Sequence, residues 1–487
     1  MRKRFGRVAF CFDMALLNCI KAIPFVDKPI VKRVYLNKIY NRKFFIVNKD
    51  GNIMENRVSK GLIEFLNTSH SHFHAVENIK KQLMENGFVQ LSEGERWSLE
   101  KGKNYLVTRN DSSIIAFRVP ENEYAGFNIV ASHSDSPCFK IKEKGEMVQG
   151  EYVSLNTERY GGMIMSTWLD RPLSVAGRII VKTENGFETK LVDIDKNLLI
   201  IPNLAVHMDR TANDGKKFNP QTDMLPLFGD LSRKGQFEAV VAQTAGVKAE
   251  DIVAKDLYLY NRDKACFMGL EDEFIGAGRL DDLQCAYTSM DGFLRAEKSD
   301  SIAVLAVFDN EEVGSETKQG AASTFLYNTL TRINMVLGGD DEKYMMALEN
   351  SFMISADNAH AVHPNNMGIA DPTNRPYINK GVVIKHNANQ RYTTDAVSNA
   401  AFKSICEMAG QPVQHFANRS DILGGGTLGN ISNNNVALNT VDIGLPQFAM
   451  HSSFETAGVK DTESFAEICR VFYSKSVVKK GSSYTIK

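Results

Sequence analysis

No stretch of this sequence holds the ~20 consecutive apolar residues that a membrane-spanning helix needs, so neither a transmembrane segment nor a membrane partner is expected. Cysteine is sparse: Cys11, Cys19, Cys138, Cys266, Cys285, Cys406 and Cys469 are scattered, odd in number and never in a C-x-x-C pair. That removes the usual signature of structural zinc or thiol redox chemistry and suits a reducing compartment, so a cytoplasmic location is expected. Charge of one sign is also missing. With 57 Lys+Arg against 58 Asp+Glu the formal net charge is −1, which leaves no electrostatic case for a nucleic-acid partner. Only the N-terminus imitates a targeting signal, with MRKRFGR before VAFCFDMALLNCI; Asp13 interrupts the apolar part and no clean small-residue cleavage site follows.

What is present is ordinary globular text, 43% hydrophobic and 24% charged over 487 residues, enough for two or three packed units. Residues 1–53 are basic and irregular and read as a separable extension. From Met54 the pattern becomes regular, and ENRVSKGLIEFLNTSHSHFHAVENIKKQLMENGF predicts two helices joined near Thr68, Ser69 and Ser71. The apolar runs SIIAFRV, FNIVASHSD, IAVLAVFDNEE and FMISADNAH read as strands that end in polar loops. Helical patterns intervene at DDLQCAYTSMDGFLRAEK and TTDAVSNAAFKSICEMAG, so the core is expected to be α/β. Residues 140–270 differ, with short strand-like pieces such as AGRIIVKTENGFETKLVDI punctuated by Gly and Asn. They are expected to form an inserted β-rich domain, leaving 54–139 and 271–487 as a discontinuous catalytic domain.

Ligands of an open α/β sheet gather beyond the carboxyl ends of its strands, and the His, Asp and Glu residues of this sequence fall there. FNIVASHSDSP ends in His133 and Asp135, IAVLAVFDNEEVGS in Glu311 and Glu312, FMISADNAH in Asp357, and LPQFAMHSSFE in His451. Asp281 and Asp282 open a helix after GAGRL. So many carboxylates in one cleft could not all ionise unless a cation compensated them, and a metal pair is the simplest compensator. Two histidines with three carboxylates suit zinc better than calcium or magnesium, with one carboxylate as the bridge. Such a pair activates a shared water and polarises a carbonyl, and a neighbouring base takes the proton. Adjacent Glu311 and Glu312 can divide these tasks, one facing metal and the other water.

Nine ordered motifs, ASHSDSPCFKIK, RYGGMIMSTWLDRPLSVAGR, IPNLAVHMDR, GRLDDL, DNEEVGS, SADNAHAVHPN, VIKHNANQRYTTD, NRSDILGGGTLGNI and VDIGLPQFAMHS, closely resemble the aspartyl and vacuolar aminopeptidases. The likeness runs from about Val58 to about Ser474. It implies a mixed-sheet zinc-aminopeptidase core with an inserted dimerisation domain, and two zinc ions per chain, with cobalt or manganese as alternative occupants. It further implies that Asp281 bridges the metals, that His133 and Asp357 complete one site, and that Glu312 and His451 complete the other. Glu311 becomes the general base. Asp135 orients the His133 ring, a role with physical sense because it fixes the tautomer. His207, which alone reads as a buried strand histidine, is implied to reach a neighbouring subunit's site and steady an oxyanion. Lys385 and Tyr392 match positions lining the substrate site.

The reaction implied is release of the N-terminal residue from short peptides, by chains assembled as dimers and then a tetrahedral dodecamer. Acidic, neutral and basic preferences occur among proteins that look like this; Lys385 is the cation an acidic preference would use. Two rivals are a two-zinc deacylase or amidase and a catalytically silent peptide-binding shell; the second would lack a ligand or the base, and none is missing. The glycines of Gly424-x-Gly426-x-x-Gly429, with Asp442 beyond, fit a dinucleotide fingerprint in form, but NISNNN is poor helix-forming text for the phosphate-binding turn. His70, His72 and His74 read as a capped helix start rather than a metal clip, and His360 and His363 as lining residues. Relatives of the resembled family begin near Val58, so residues 1–53 are either a genuine extension or a misassigned start with Met54 as the first residue.

Overall fold

The computed structural model describes residues 56–481 and 483–487, so the basic extension, with Met54, lies outside the described residues. Nine strands form one mixed sheet, ordered from edge to edge as Val89–Leu91, Asn104–Arg109, Ser113–Arg118, Ile302–Phe308, Phe127–His133, Phe352–Ala356, Asn439–Gly444, Val382–His386 and Val413–Ala417. The four strands from Ile302–Phe308 to Asn439–Gly444 run parallel, and antiparallel pairings begin on either side of them. Both faces are covered, which explains why these strands read as unbroken apolar runs. Alternate residues serve separate cores: Ile114, Ala116, Leu305 and Val307 pack into one, while Ile115, Phe117, Val304 and Ala306 pack into the other.

The first core is closed by helices. Arg57–Leu66 and His72–Glu85 are the two expected from the sequence, and Ser71 caps the second, its hydroxyl accepting the His74 N–H. The helix Leu280–Arg295 is buried along nearly all its length and packs on Val459–Tyr473. Phe293 lies between Phe88 and Tyr473 with ring centroids at 5.6 and 5.0 Å. Phe293→Ala is expected to cost about 3–5 kcal/mol of unfolding free energy, the toll of an emptied aromatic site, measurable by urea denaturation.

Strands between Cys138 and Asn261 build a second sheet of six, ordered Gly186–Asp193, Leu173–Thr183, Ile252–Asn261, Cys138–Gln149, Tyr152–Tyr160 and Leu227–Asp230, with antiparallel neighbours and an apolar core of its own. A third sheet of five short strands joins Phe274–Ala277 to Glu455–Gly458, Pro446–Phe448 and Ala359–His360. His451 therefore comes from a loop of this small sheet rather than from the edge of the large one, as its position after an apolar run had suggested.

Candidate active site

Each expected residue of the cluster is delivered by the end of an element. His133 is the last residue of its strand, and Asp357 follows Phe352–Ala356 directly. Glu311 and Glu312 form a single helical turn entered through Asn310 in the left-handed conformation. Asp281 and Asp282 depart from helical geometry at the start of Leu280–Arg295, and the peptide bond between them is cis. His451 is also left-handed, φ 67°.

The side chains converge as two groups that share Asp281. His133 Nε2 lies 3.4 Å from Asp281 Oδ1 and 3.8 Å from Asp357 Oδ1. His451 Nε2 lies 3.5 Å from Asp281 Oδ2 and 3.4 Å from Glu312 Oε2. Ligand atoms of His133, Asp281, Asp282 and Asp357, of His133, Glu311 and Glu312, and of Asp281, Glu312 and His451 each lie within 4.8 Å of one another. One oxygen of Asp281 thus faces each histidine.

A second ring of groups holds these in place, and the sequence reading missed most of it. Asp135 accepts the N–H of Glu311 on Oδ1 (3.1 Å) and that of Glu312 on Oδ2 (3.2 Å), so one carboxylate sets both glutamates. Tyr160 adds its hydroxyl to Oδ2 at 2.7 Å and itself accepts from Asn310. The His133 ring is steadied by Asp135 as expected, but its Nδ1 hydrogen-bonds the Asp135 backbone carbonyl (3.1 Å), with the carboxylate at 3.3 Å. Asp282 Oδ2 accepts the His133 N–H. Glu455, buried, spans the centre, accepting the His451 N–H at 2.8 Å and the Asp281 N–H at 3.2 Å. Gly161 also has a reason to lack a side chain: its φ is +72° and a Cβ would press on Glu312 at 3.1 Å.

The electrostatics show how much positive charge this geometry asks for. Burial, reinforced by neighbouring carboxylates, pushes Glu311 up to about 8 and Glu312 and Asp282 well above the carboxylate range. For His133 burial works against the proton, but Asp282, Asp135, Asp281 and Asp357 outweigh it and the ring is pushed well above its ordinary value. Asp357 is held low despite burial by Lys385, whose ammonium lies 3.4 Å from Oδ2, and by His133. Asp281 Oδ1, Asp282 Oδ1 and Glu312 Oε1 are buried with no hydrogen-bond donor among the described residues. Carboxyl oxygens without donors, beside imidazole nitrogens, are what a nitrogen- and oxygen-binding cation such as zinc would satisfy.

The other expected residues separate. Lys385 is buried with its ammonium 5.5 Å from the ring centre of buried Tyr392, so these two lie together beside Asp357. His207 is exposed in a turn, not buried in a strand, and belongs to none of the groups above. His70, His72, His74, His360 and His363 likewise stand outside every such group among the described residues. The glycine segment leads into a short helix, Leu428–Ser432, where none was expected. Gly429 lies in it against Asp442, whose Oδ1 would be 2.6 Å from a Cβ, so this glycine serves close packing.

A mixed α/β fold with a buried histidine–carboxylate cluster at its strand ends defines a metal-dependent hydrolase. Residues 65–473 match the family model of the aminopeptidase I zinc metalloproteases, and the chain belongs to this M18 peptidase family. It is 48% identical over 425 residues to a probable M18 family aminopeptidase 2 of Clostridium acetobutylicum, covering 85% of this chain and 98% of that one. A chain of the Ape4–Nbr1 complex superposes with a TM-score of 0.83 at 35% identity, covering 86% and 85% of the two chains. The mApe1 dodecamer of S. cerevisiae gives 0.76 at 25% identity, covering 86% and 96%. The protein is an aminopeptidase of a zinc-dependent family.

Proposed function

We propose that the chain removes N-terminal residues from short peptides at a site for two zinc ions, bridged by Asp281, with His133 and Asp357 on one side and Glu312 and His451 on the other. The single observation carrying this reading is that the two oxygens of Asp281 face two different histidines, each accompanied by a further carboxylate. Zinc, when bound, lowers the pKa of water and polarises the scissile carbonyl; cobalt or manganese would suit the same donors. Glu311 takes the proton of the attacking water and returns it to the departing amine. Asp135, braced by Tyr160, holds the backbone of both Glu311 and Glu312 in place. Lys385 and Tyr392 line the substrate side, and Lys385 is the cation available to an acidic N-terminal residue. Because Asp357 already pairs with it, any acidic preference should be modest.

We also assign residues 140–270 to dimer contacts, as a step toward a dodecamer like that of mApe1. His207 then acts in a neighbouring subunit's site. Support comes from its exposure among Leu204, Val206 and Met208, an apolar stretch left exposed among the described residues. A cytoplasmic location rests on the cysteine usage. No helix among the described residues is long and apolar enough to cross a membrane.

A panel of free and N-acetylated dipeptides tests the reaction. Cleavage of free amino termini alone is expected; hydrolysis of the acylated compounds instead would make the protein a deacylase.

Two further outcomes follow from the supporting groups. Glu455→Ala strips the acceptor from the N–H groups of two ligand residues, Asp281 and His451, at once, so zinc affinity, read by competition with a chelator, should fall about 10–100-fold. In the metal-free protein a carboxylate whose pKa is raised on folding destabilises as pH rises from its unfolded value toward its folded one. Histidine with a raised pKa loses its stabilising contribution in the same direction. Metal-free protein should therefore lose stability between about pH 5 and 8, the window set by Glu311. The gap in melting temperature between zinc-loaded and metal-free protein should be wider at pH 8 than at pH 6; a gap that narrows would contradict the assignment.

A further inference from the structure

The two halves of the cluster are propped by different parts of the chain. His133 ends a strand of the large sheet and Asp357 follows one, and the backbone and ring contacts that hold them come from outside residues 140–270. The His133 N–H donates to Asp282 Oδ2 at 3.1 Å, its Nδ1 bonds the Asp135 carbonyl at 3.1 Å, and the Asp357 N–H donates to the Ile443 carbonyl at 3.1 Å. Glu312 and His451 stand on short turns instead. The turn of Glu312 is entered through left-handed Asn310, and His451 is itself left-handed. Such a conformation persists only where surrounding contacts enforce it.

Many of those contacts come from one segment of the region 140–270, Tyr160–Trp168. Tyr160 donates to the Asp135 oxygen that also accepts the Glu312 N–H, and Gly161 lies against Glu312 so closely that only a glycine fits. The Ile164 N–H donates to the His451 carbonyl at 3.0 Å. Thr167 and Ser453 then bond reciprocally: the Ser453 N–H donates to the Thr167 hydroxyl at 2.9 Å, and the Ser453 hydroxyl to the Thr167 carbonyl at 2.6 Å. Arg171 Nε donates to that same carbonyl at 2.9 Å, and Asn261 Nδ2 to the Ser453 carbonyl at 3.1 Å, so the pair is anchored from behind. Glu455 also holds the His451 N–H, but it holds the shared Asp281 as well and favours neither half.

We propose that Tyr160–Trp168 is a strap that positions the ligands of one metal only. Buckled to the His451 loop through Thr167 and Ser453, it sets how tightly an ion is held between Glu312 and His451, and leaves the ion between His133 and Asp357 alone. A ligand that is not held beforehand must be ordered as the ion binds, and that ordering is subtracted from the affinity. Thr167 and Ser453 are positioning residues, acting through His451. The inference rests on the two-ion reading given above.

Thr167→Val tests it, because valine keeps the shape of the side chain and removes the hydroxyl that accepts from Ser453 and donates to the Ile164 carbonyl. In competition with a chelator, one of the two zinc affinities should fall about tenfold, the lower end for a group that supports a ligand, and the other should stay at its parental value. Crystals of the variant at limiting zinc should show a reduced anomalous peak beside Glu312 and His451 and a full one beside His133 and Asp357. Thr167→Ser, which keeps the hydroxyl, should bind as the parent does. Ser453→Ala removes the other half of the buckle and should weaken the same ion, so it decides the matter if Thr167→Val does not fold. Tyr160→Phe discriminates less well, since Asp135 also adjoins His133. Equal weakening of both ions, weakening of the His133–Asp357 ion alone, or parental affinities in both variants would overturn the strap. A parent chain that holds a single ion would instead remove the two-ion reading, and the strap with it.

Discussion

Glu311→Gln is expected to fold, to bind zinc as the parent does, and to lose about 10²–10⁴-fold in kcat on a dipeptide, the contribution usual for a general base. Glutamine keeps the shape and the backbone N–H that Asp135 accepts, but it cannot take a proton. The position is suited to the task. In the metal-free protein burial raises the Glu311 carboxyl to about 8, and neighbouring carboxylates add to it; zinc beside it would draw that value down and leave the carboxylate free to accept a proton. No protein hydrogen bond occupies its side chain among the described residues, in contrast to Asp135 and Glu455, whose oxygens are already used. Glu312→Gln should behave differently, because Glu312 faces His451 and its loss should show in metal content as well as in rate. Equal metal content and full activity in Glu311→Gln would remove it from the mechanism.

Asp281→Ala should be the most damaging single change to metal binding, exceeding the about 10–100-fold typical of groups that only support a ligand. Its two oxygens serve both halves of the cluster, so neither half keeps its donor set. Both metals should be lost together, measured as bound zinc per chain after dialysis, and activity should go with them. The adjacent Asp282→Asn provides the contrast. Asp282 accepts the His133 N–H, an acceptor that asparagine retains, so metal should be held within the range of a supporting change. A variant Asp281→Ala that keeps one tightly bound zinc would show that the bridge is not the organising element.

Much of this site was legible because its chemistry is carried by residue types at strand ends. Unbroken apolar runs announced Phe127–His133, Ile302–Phe308 and Phe352–Ala356, and the polar residue after each run announced His133, Glu311, Glu312 and Asp357. Helix starts were legible at Ser71 and in the TTDAVSN text, where Asp395 and Ser398 cap reciprocally. The supporting groups were not, because their meaning lies in distant contacts. Tyr160 reaches Asp135 across 25 positions, and Glu455 reaches Asp281 across 174. A tyrosine ending a strand and a glutamate four residues after a histidine carry no local signal. The roles implied for His207, Lys385 and Tyr392 came from family likeness rather than from any pattern in the residues. His451 was placed on the wrong sheet since an apolar run shows a strand without naming its partners, and the short helix after the glycines was missed because tertiary packing of Leu428 overrides its weak propensity.

The central claim, a two-metal peptidase centre bridged by Asp281, is tested most directly by titrating zinc into chelated enzyme. Bound metal per chain and release of the N-terminal residue from an unblocked dipeptide are followed together. Activity should rise with metal and reach its plateau near two zinc ions per chain. A plateau at one ion per chain, or turnover undiminished by chelation, would contradict it.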